Sequence, residues 1–161
     1  MKRVIFIGQA MPRFKKDLHD WQSLNSWLYS IKISDDQIKE NFFYSALVDY
    51  FPGAEKGSHL IPTLAEIKKE RSRLRKTIKD FDPQIVVTIG KLSLSHCLQN
   101  EINLLNEYIG KIYKIDPYGL FGKEILVIPL PHPSGASTWR HKPENRKLLL
   151  KALELLKSNL R

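Results

Sequence analysis

Ile85-Val86-Val87-Thr88-Ile89-Gly90-Lys91 is the stretch on which the fold turns. Its first five residues are a short run rich in Val and Ile with no alternation of polar and apolar positions. That is the pattern of a strand covered on both faces, and strands of that kind usually run parallel. Gly90-Lys91 then reads as a turn into a helix over residues 92–98. Three further apolar runs lie at residues 4–7, 42–47 and 125–128, the first and last of them also rich in Val and Ile.

Helical patterns fill the intervals. The clearest is expected over 64–81, where Leu64, Ile67, Leu74, Ile78 and Phe81 follow one another along a single stripe whose other faces are basic. Thr63 and Glu66 have the spacing of a capping box, and Asp82-Pro83 supplies a stop before the next strand. Leu24, Trp27, Leu28 and Ile31 mark an earlier helix. Pro143 suits a first-turn position for the last one, with Leu148, Leu149, Ala152, Leu153 and Leu156 as its apolar face.

Strands alternating with helices imply right-handed crossovers. The expected fold class is α/β, a three-layer α/β/α sandwich around a four-stranded, mostly parallel sheet. With 161 residues, no linker, no low-complexity tract and no repeat, residues 1–161 are expected to form one domain. Ligands of such folds bind beyond the carboxyl ends of the strands. Chemistry is therefore sought in residues 8–13, 45–53, 90–93 and 131–139.

Composition narrows the partners. Lys plus Arg outnumber Asp plus Glu by 26 to 17, a formal charge of +9 that favours polyanions such as nucleic acid. Many small basic proteins have no such partner, so charge alone does not decide. Cys97 is the only cysteine, so no internal disulfide, four-cysteine cluster or zinc knuckle can be assembled. The histidines lack helical pair spacing with carboxylates; no metal and no cofactor is expected. The apolar run after Met1-Lys2-Arg3 is too short for a signal-peptide core or a membrane span, and a cytoplasmic monomer with no membrane partner is expected.

The richest segment is Leu130-Pro131-His132-Pro133-Ser134-Gly135-Ala136-Ser137-Thr138-Trp139-Arg140. Prolines on both sides restrict the backbone of His132, so the imidazole is presented in a nearly fixed direction at a strand end, as suits a catalytic donor. Ser134, Gly135 and Ser137 offer small side chains and backbone amides to a phosphate, and Trp139 and Arg140 offer stacking or charge. After the first strand, Gly8-Gln9-Ala10-Met11-Pro12-Arg13 allows close backbone approach. It matches neither a Walker loop nor a dinucleotide fingerprint, and an ordinary strand-to-loop turn is its plainer reading.

Pro131-His132-Pro133-Ser134-Gly135, followed by Trp139 and by Pro143-Glu144-Asn145-Arg146, resembles the closing motif of the uracil-DNA glycosylase superfamily, especially its small members without an iron-sulfur cluster. Gly8-Gln9-Ala10-Met11-Pro12-Arg13 is similar to the opening motif, with Ala10 where the best-known branch has Asp and with Met11 additional before the proline. Phe43-Tyr44-Ser45-Ala46-Leu47 leading to Phe51-Pro52-Gly53 is similar to the second-strand segment, with Ser45 nearest the Asn that reads the base in several branches. Residues 82–91 resemble the third. The likeness spans nearly the whole chain in order, and the closing motif is the specific part.

The resemblance implies a monofunctional glycosylase of base excision repair. It would act on DNA containing uracil or another deaminated base, rotated out of the duplex because the glycosidic carbon is unreachable inside the stack. His132 would stabilise the charge that develops on the leaving pyrimidine, and Gln9 would orient water. Gly8, Ala10 and Ser45 would line the base pocket, with Phe14 or Trp21 as stacking platform, although Trp21 and Trp27 could equally be core. Lys91, Ser134, Gly135, Ser137, Trp139 and Arg140 would meet the DNA. Asp17 is the nearest carboxylate that could activate water, and it reads equally as a solvated loop residue. Lysines and arginines between Lys68 and Lys79 are expected on a solvated helix face, while His59 has no evident role and His96 and His141 are expected to be structural or on the surface. Two readings from other classes stand beside this one: a non-catalytic nucleic-acid-binding module, and a hydrolase of free nucleosides or nucleotides.

Overall fold

Each of the Val- and Ile-rich runs is a buried strand. A computed structural model of the chain describes residues 1–12, 21–55, 58–133 and 138–161. Strands β1 (Val4–Ala10) and β2 (Phe42–Val48) are followed by a short antiparallel pair, β3 (Ala54–Glu55) and β4 (Ser58–His59). Then come β5 (Ile85–Ile89), β6 (Tyr113–Ile115) and β7 (Ile125–Leu130). The main sheet has the order β2-β1-β5-β7-β6. Its first four strands are parallel, with Val4 opposite both Phe42 and Ile85, and Ile85 opposite Leu126.

The interior of β5 is inaccessible on both faces because helices cover both. On one side lie α1 (Gln22–Ser30), α2 (Asp35–Asn41) and α6 (Pro143–Asn159). Their Leu24, Leu28, Ile38, Leu149 and Leu153 pack on Val4, Phe6, Tyr44, Val87 and Ile128. On the other lie α3 (Leu64–Lys69), α4 (Arg71–Phe81) and α5 (Lys91–Leu98), whose Ile67, Leu74, Ile78 and Cys97 pack on Ile5, Ile7, Leu47, Val86 and Val127. The three-layer α/β/α sandwich expected from the pattern is the architecture found.

The sheet has five strands where four were expected. β6 escaped because Tyr113-Lys114-Ile115 is a three-residue edge strand, antiparallel to β7, with Lys114 exposed, and it shows no apolar run. The stripe over 64–81 is two helices, broken at Glu70 (φ −85°, ψ −4°), and Leu64 at its head is 58% exposed. The capping box of Thr63 and Glu66 is present, and a second one, between Ser34 and Gln37, starts α2. Asp82 ends α4 in the left-handed region at φ 50°, with Pro83 after it.

One buried polar contact ties the helical layer to β1. The Ser93 hydroxyl, in the first turn of α5, donates to the carbonyl oxygen of Ile7 at 2.6 Å, so the Tyr118 hydroxyl 2.7 Å away donates to Ser93. Tyr118 is held with φ 58°, and burial keeps its phenol protonated far above the ordinary range. Ser93→Ala should therefore cost about 1–3 kcal/mol, because it strands the Tyr118 hydroxyl without an acceptor. Tyr118→Phe removes donor and need together and should cost clearly less. Urea midpoints of the two variants check this; equal losses would contradict it.

Candidate active site

The carboxyl ends of β1 and β5 lie side by side, although the chain leaves β1 for β2 and returns across it to β5. Between two such strands a doubly wound sheet opens its crevice, because the crossovers leave in opposite directions. What fills that end of the sheet follows from the residues at the four parallel strand exits.

From β7 come Leu130, Pro131, His132 and Pro133. The leucine and both prolines are buried and the histidine is half-buried. From β5 comes Gly90, at φ 86°, which only glycine adopts readily, as the residue capping α5. Its N–H donates to the Leu130 carbonyl at 2.9 Å, binding the two exits together, and a Cβ built on it would sit 4.0 Å from the His132 Cβ. Lys91 follows, exposed at the start of α5.

Trp21, the residue before α1, connects this pair to the other two strands. Its ring centroid is 5.5 Å from that of His132 at a tilt of 56°, and 5.0 Å from that of Tyr44 in an edge-to-face contact. Tyr44 reaches from β2 under β1, and a Cβ on Gly8 would lie 2.7 Å from the Tyr44 hydroxyl. That hydroxyl donates to the Ala10 carbonyl at 3.5 Å, the long limit of a hydrogen bond. Burial raises the Tyr44 pKa far above its ordinary value, so it remains a neutral donor. A run of neighbours, Gly8, Tyr44, Trp21, His132, Gly90, thus links all four parallel strands.

Trp21 is 5% exposed and backs the imidazole as a wall. Gln9 and Ala10 are half-buried at the end of β1. Phe14, Asp17, Ser134, Gly135 and Ser137 lie outside the described residues.

Ser45, expected to line a base pocket, faces away from the Trp21 and His132 rings. It shares a face of β2 with Phe43 and Leu47, opposite to Tyr44 and Trp21, and its hydroxyl accepts from Arg73 Nη1 at 3.1 Å. Nη2 of the same guanidinium donates to the carbonyl oxygens of Ala46 at 2.7 Å and Leu47 at 3.3 Å. Arg73 therefore departs from the solvated face expected of the α4 cations. Beside it, Glu70 accepts from the Asp49 N–H at 2.6 Å and lies 3.7 Å from Arg73 Nε. These two residues pin the exit of β2, where the Tyr50 carbonyl accepts from the Met11 N–H at 3.2 Å. The Tyr50 hydroxyl donates to Glu66, which pushes the phenol up to about 12 and, with the Thr63 backbone N–H, holds the Glu66 carboxyl below its usual value.

Trp139 and Arg140 are built into the protein. The Trp139 indole donates to Asn106 Oδ1 at 2.8 Å, Asn106 donates to Asn145, and Asn145 Nδ2 donates back to the Trp139 carbonyl at 2.7 Å. The Arg140 guanidinium carbon lies 5.6 Å from the centre of the Trp27 ring, itself 9% exposed. Arg146 holds the Arg140 and His141 carbonyls. The segment after the closing motif is thereby anchored on α6.

Of the remaining candidates, His141 is exposed. Burial, with Arg71 nearby, lowers the His96 pKa. Burial also pushes the Cys97 thiol up to about 12, where it is a poor nucleophile. Tyr44, Arg73 and Asn106 escaped the sequence reading. Tyr44 had a signal, an aromatic on the neighbouring strand two residues short of the level of Gly8; the other two resemble any polar surface residue.

A family model described as the uracil DNA glycosylase superfamily matches residues 2–157. A protein of Saccharolobus solfataricus named type-4 uracil-DNA glycosylase is 31% identical over 112 residues, which cover 69% of this chain and 48% of that protein. A DNA polymerase of Bacillus phage SP01 is 29% identical over 121 residues, covering 75% of this chain and 11% of the polymerase. The chain thus spans about half the length of the first relative and a small part of the second.

Proposed function

Since the chain belongs to the uracil DNA glycosylase superfamily, we propose that it is a monofunctional DNA glycosylase that hydrolyses the N-glycosidic bond of a flipped-out deaminated base, uracil first among them. The observation that carries this reading is the half-buried His132, bracketed by buried prolines at the end of β7 and backed by Trp21. Both protonation states of imidazole keep an N–H donor. Aimed at a pyrimidine carbonyl, that donor stabilises the charge that grows as the glycosidic bond breaks, more in the transition state than in the ground state. The rigid backbone means that little reorganisation is needed when the charge forms.

Water completes the reaction. Ala10 carries no base, so attack follows an advanced departure of the base, with Gln9 orienting the water by hydrogen bonds; as the water's oxygen bonds the sugar carbon, its proton passes, directly or through solvent, to the departed base anion. Lys91, exposed beside the His132 segment, is suited to a backbone phosphate. The charge of +9 supports a polyanionic substrate in place of free nucleosides.

The test is cleavage of end-labelled oligonucleotides carrying uracil, hypoxanthine or xanthine, single-stranded and opposite each base, followed by alkali. Alkali-dependent scission at the lesion is expected, uracil fastest, with binding that weakens steeply as salt is raised. Salt-sensitive binding without scission on any lesion would make the protein a binding module instead. Release of base from free nucleosides at least as efficient as from DNA would make it a nucleoside hydrolase.

A further inference from the structure

At the opposite end of the strands from His132, where β5 and β7 begin, lies a cleft that the glycosylase reading does not use. Its volume is about 330 Å³, and it runs between the last two turns of α4 and the segment that leads into β7. Pro83, which lines it, precedes β5, whereas His132 follows β7; one strand length, roughly 16 Å for five residues, separates the two levels.

The lining has two chemistries. Ile78, Pro83, Leu120 and Phe121 make an apolar interior, and Arg75, Lys79 and Lys123 stand exposed around it. The one carboxylate, Asp82, is already engaged by Arg3 at 2.9 Å and lies 4.0 Å from Lys123. Among the described residues no carboxylate pairs with Arg75 or Lys79. The rim is therefore a net cationic ring around a concave apolar floor.

Both walls are held in advance. α4 supplies one. On the other, the Asp116 carboxylate accepts from the N–H groups of Phe121 at 2.8 Å and Gly122 at 3.1 Å, which fixes the turn that presents Phe121. A partner thus meets a formed surface and loses little entropy in ordering it.

We propose that this cleft binds an acidic peptide segment of a partner protein, seating one apolar or aromatic side chain among Ile78, Pro83, Leu120 and Phe121 while flanking carboxylates meet Arg75, Lys79 and Lys123. A nucleic-acid backbone fits less well. It needs a track of cations with several stacking faces, and here a single aromatic ring lines the cleft, beside a carboxylate. Carboxylates on either side of a single apolar anchor match both the ring and the floor.

The experiment uses the full chain, a fluorescently labelled peptide of aspartates and glutamates around one phenylalanine, and the same peptide with serine in place of phenylalanine. The variant Lys79→Glu/Lys123→Glu is compared with Lys147→Glu/Lys151→Glu, which makes the same change of charge on exposed positions of α6. Anisotropy titration should show the phenylalanine peptide losing affinity by at least about tenfold in the cleft variant and far less in the α6 variant. The serine peptide should bind the wild type about tenfold more weakly. Uracil excision should be the same in both variants and the wild type, and the peptide measurement stands whether or not excision is found. No peptide binding, equal effects of the two variants, or indifference to the phenylalanine would overturn the proposal. A cleft variant that loses oligonucleotide affinity as much as peptide affinity would assign the surface to nucleic acid and overturn it too.

Discussion

His132→Ala should lower the rate of uracil excision by about 100-fold to 1000-fold while leaving affinity for uracil-containing DNA nearly unchanged. The reasoning rests on when the contact matters. A carbonyl of the intact base is a neutral acceptor that water satisfies equally well, so losing the imidazole costs little at binding. On the proposed reading the departing pyrimidine is an anion beside an imidazole that Trp21 backs and two buried prolines flank in the chain, where a fixed donor acts at lower dielectric than in water. Single-turnover rates and a separate binding titration distinguish the two effects. A variant that binds tenfold more weakly but excises at the wild-type rate would show that His132 grips the DNA rather than the leaving group. His132→Gln, which keeps an N–H donor on a softer and shorter frame, should recover part of the rate.

Gly8→Ala should destabilise the fold by about 1–3 kcal/mol and slow excision, and Tyr44→Phe in the same chain should reverse most of both. The added Cβ would come within 2.7 Å of the Tyr44 hydroxyl, while the next ring atom lies 3.5 Å away, an ordinary contact. Tyr44 has little room to yield, since it is 7% exposed and Trp21 stands edge-on at 5.0 Å. Displacing Tyr44 presses Trp21 toward His132, so the damage travels from β1 to the far side of the site through two rings. Deleting the hydroxyl removes the collision and sacrifices only the long contact to Ala10. Urea midpoints and excision rates of the four chains of the cycle measure the coupling. Additive effects would mean that glycine stands at position 8 for another reason.

How far the sequence foretold this arrangement depends on where each signal is stored. Strands β1, β5 and β7 were legible because a strand buried on both faces must be continuously apolar, and helices α3 and α6 because a cap and a first-turn proline are written within a few residues. His132 stood out for the same reason, as its restraint comes from its two neighbours in the chain. Burial on both faces also erased something: β2 has no polar alternation to say which side carries the pocket, and Ser45 was assigned where Tyr44 stands. The break at Glu70 continues the helical period on both sides and leaves no mark. Arg73 reads like the arginines and lysines around it until the neighbouring strand supplies its acceptors.

Gly8, Trp21, Tyr44, Gly90 and His132 meet across the sheet, but along the chain they are spread over most of its length. The crossover from β1 to β2 contains Gly8, Trp21 and Tyr44, but Gly90 and His132 come only with β5 and β7. Closing the intervening loops costs entropy before any of these contacts returns free energy. A nascent chain still lacking β7 can bring Gly8, Tyr44 and Trp21 together but has no His132 to set against them. For a protein proposed to release bases from DNA, activity would then wait for the completed sheet.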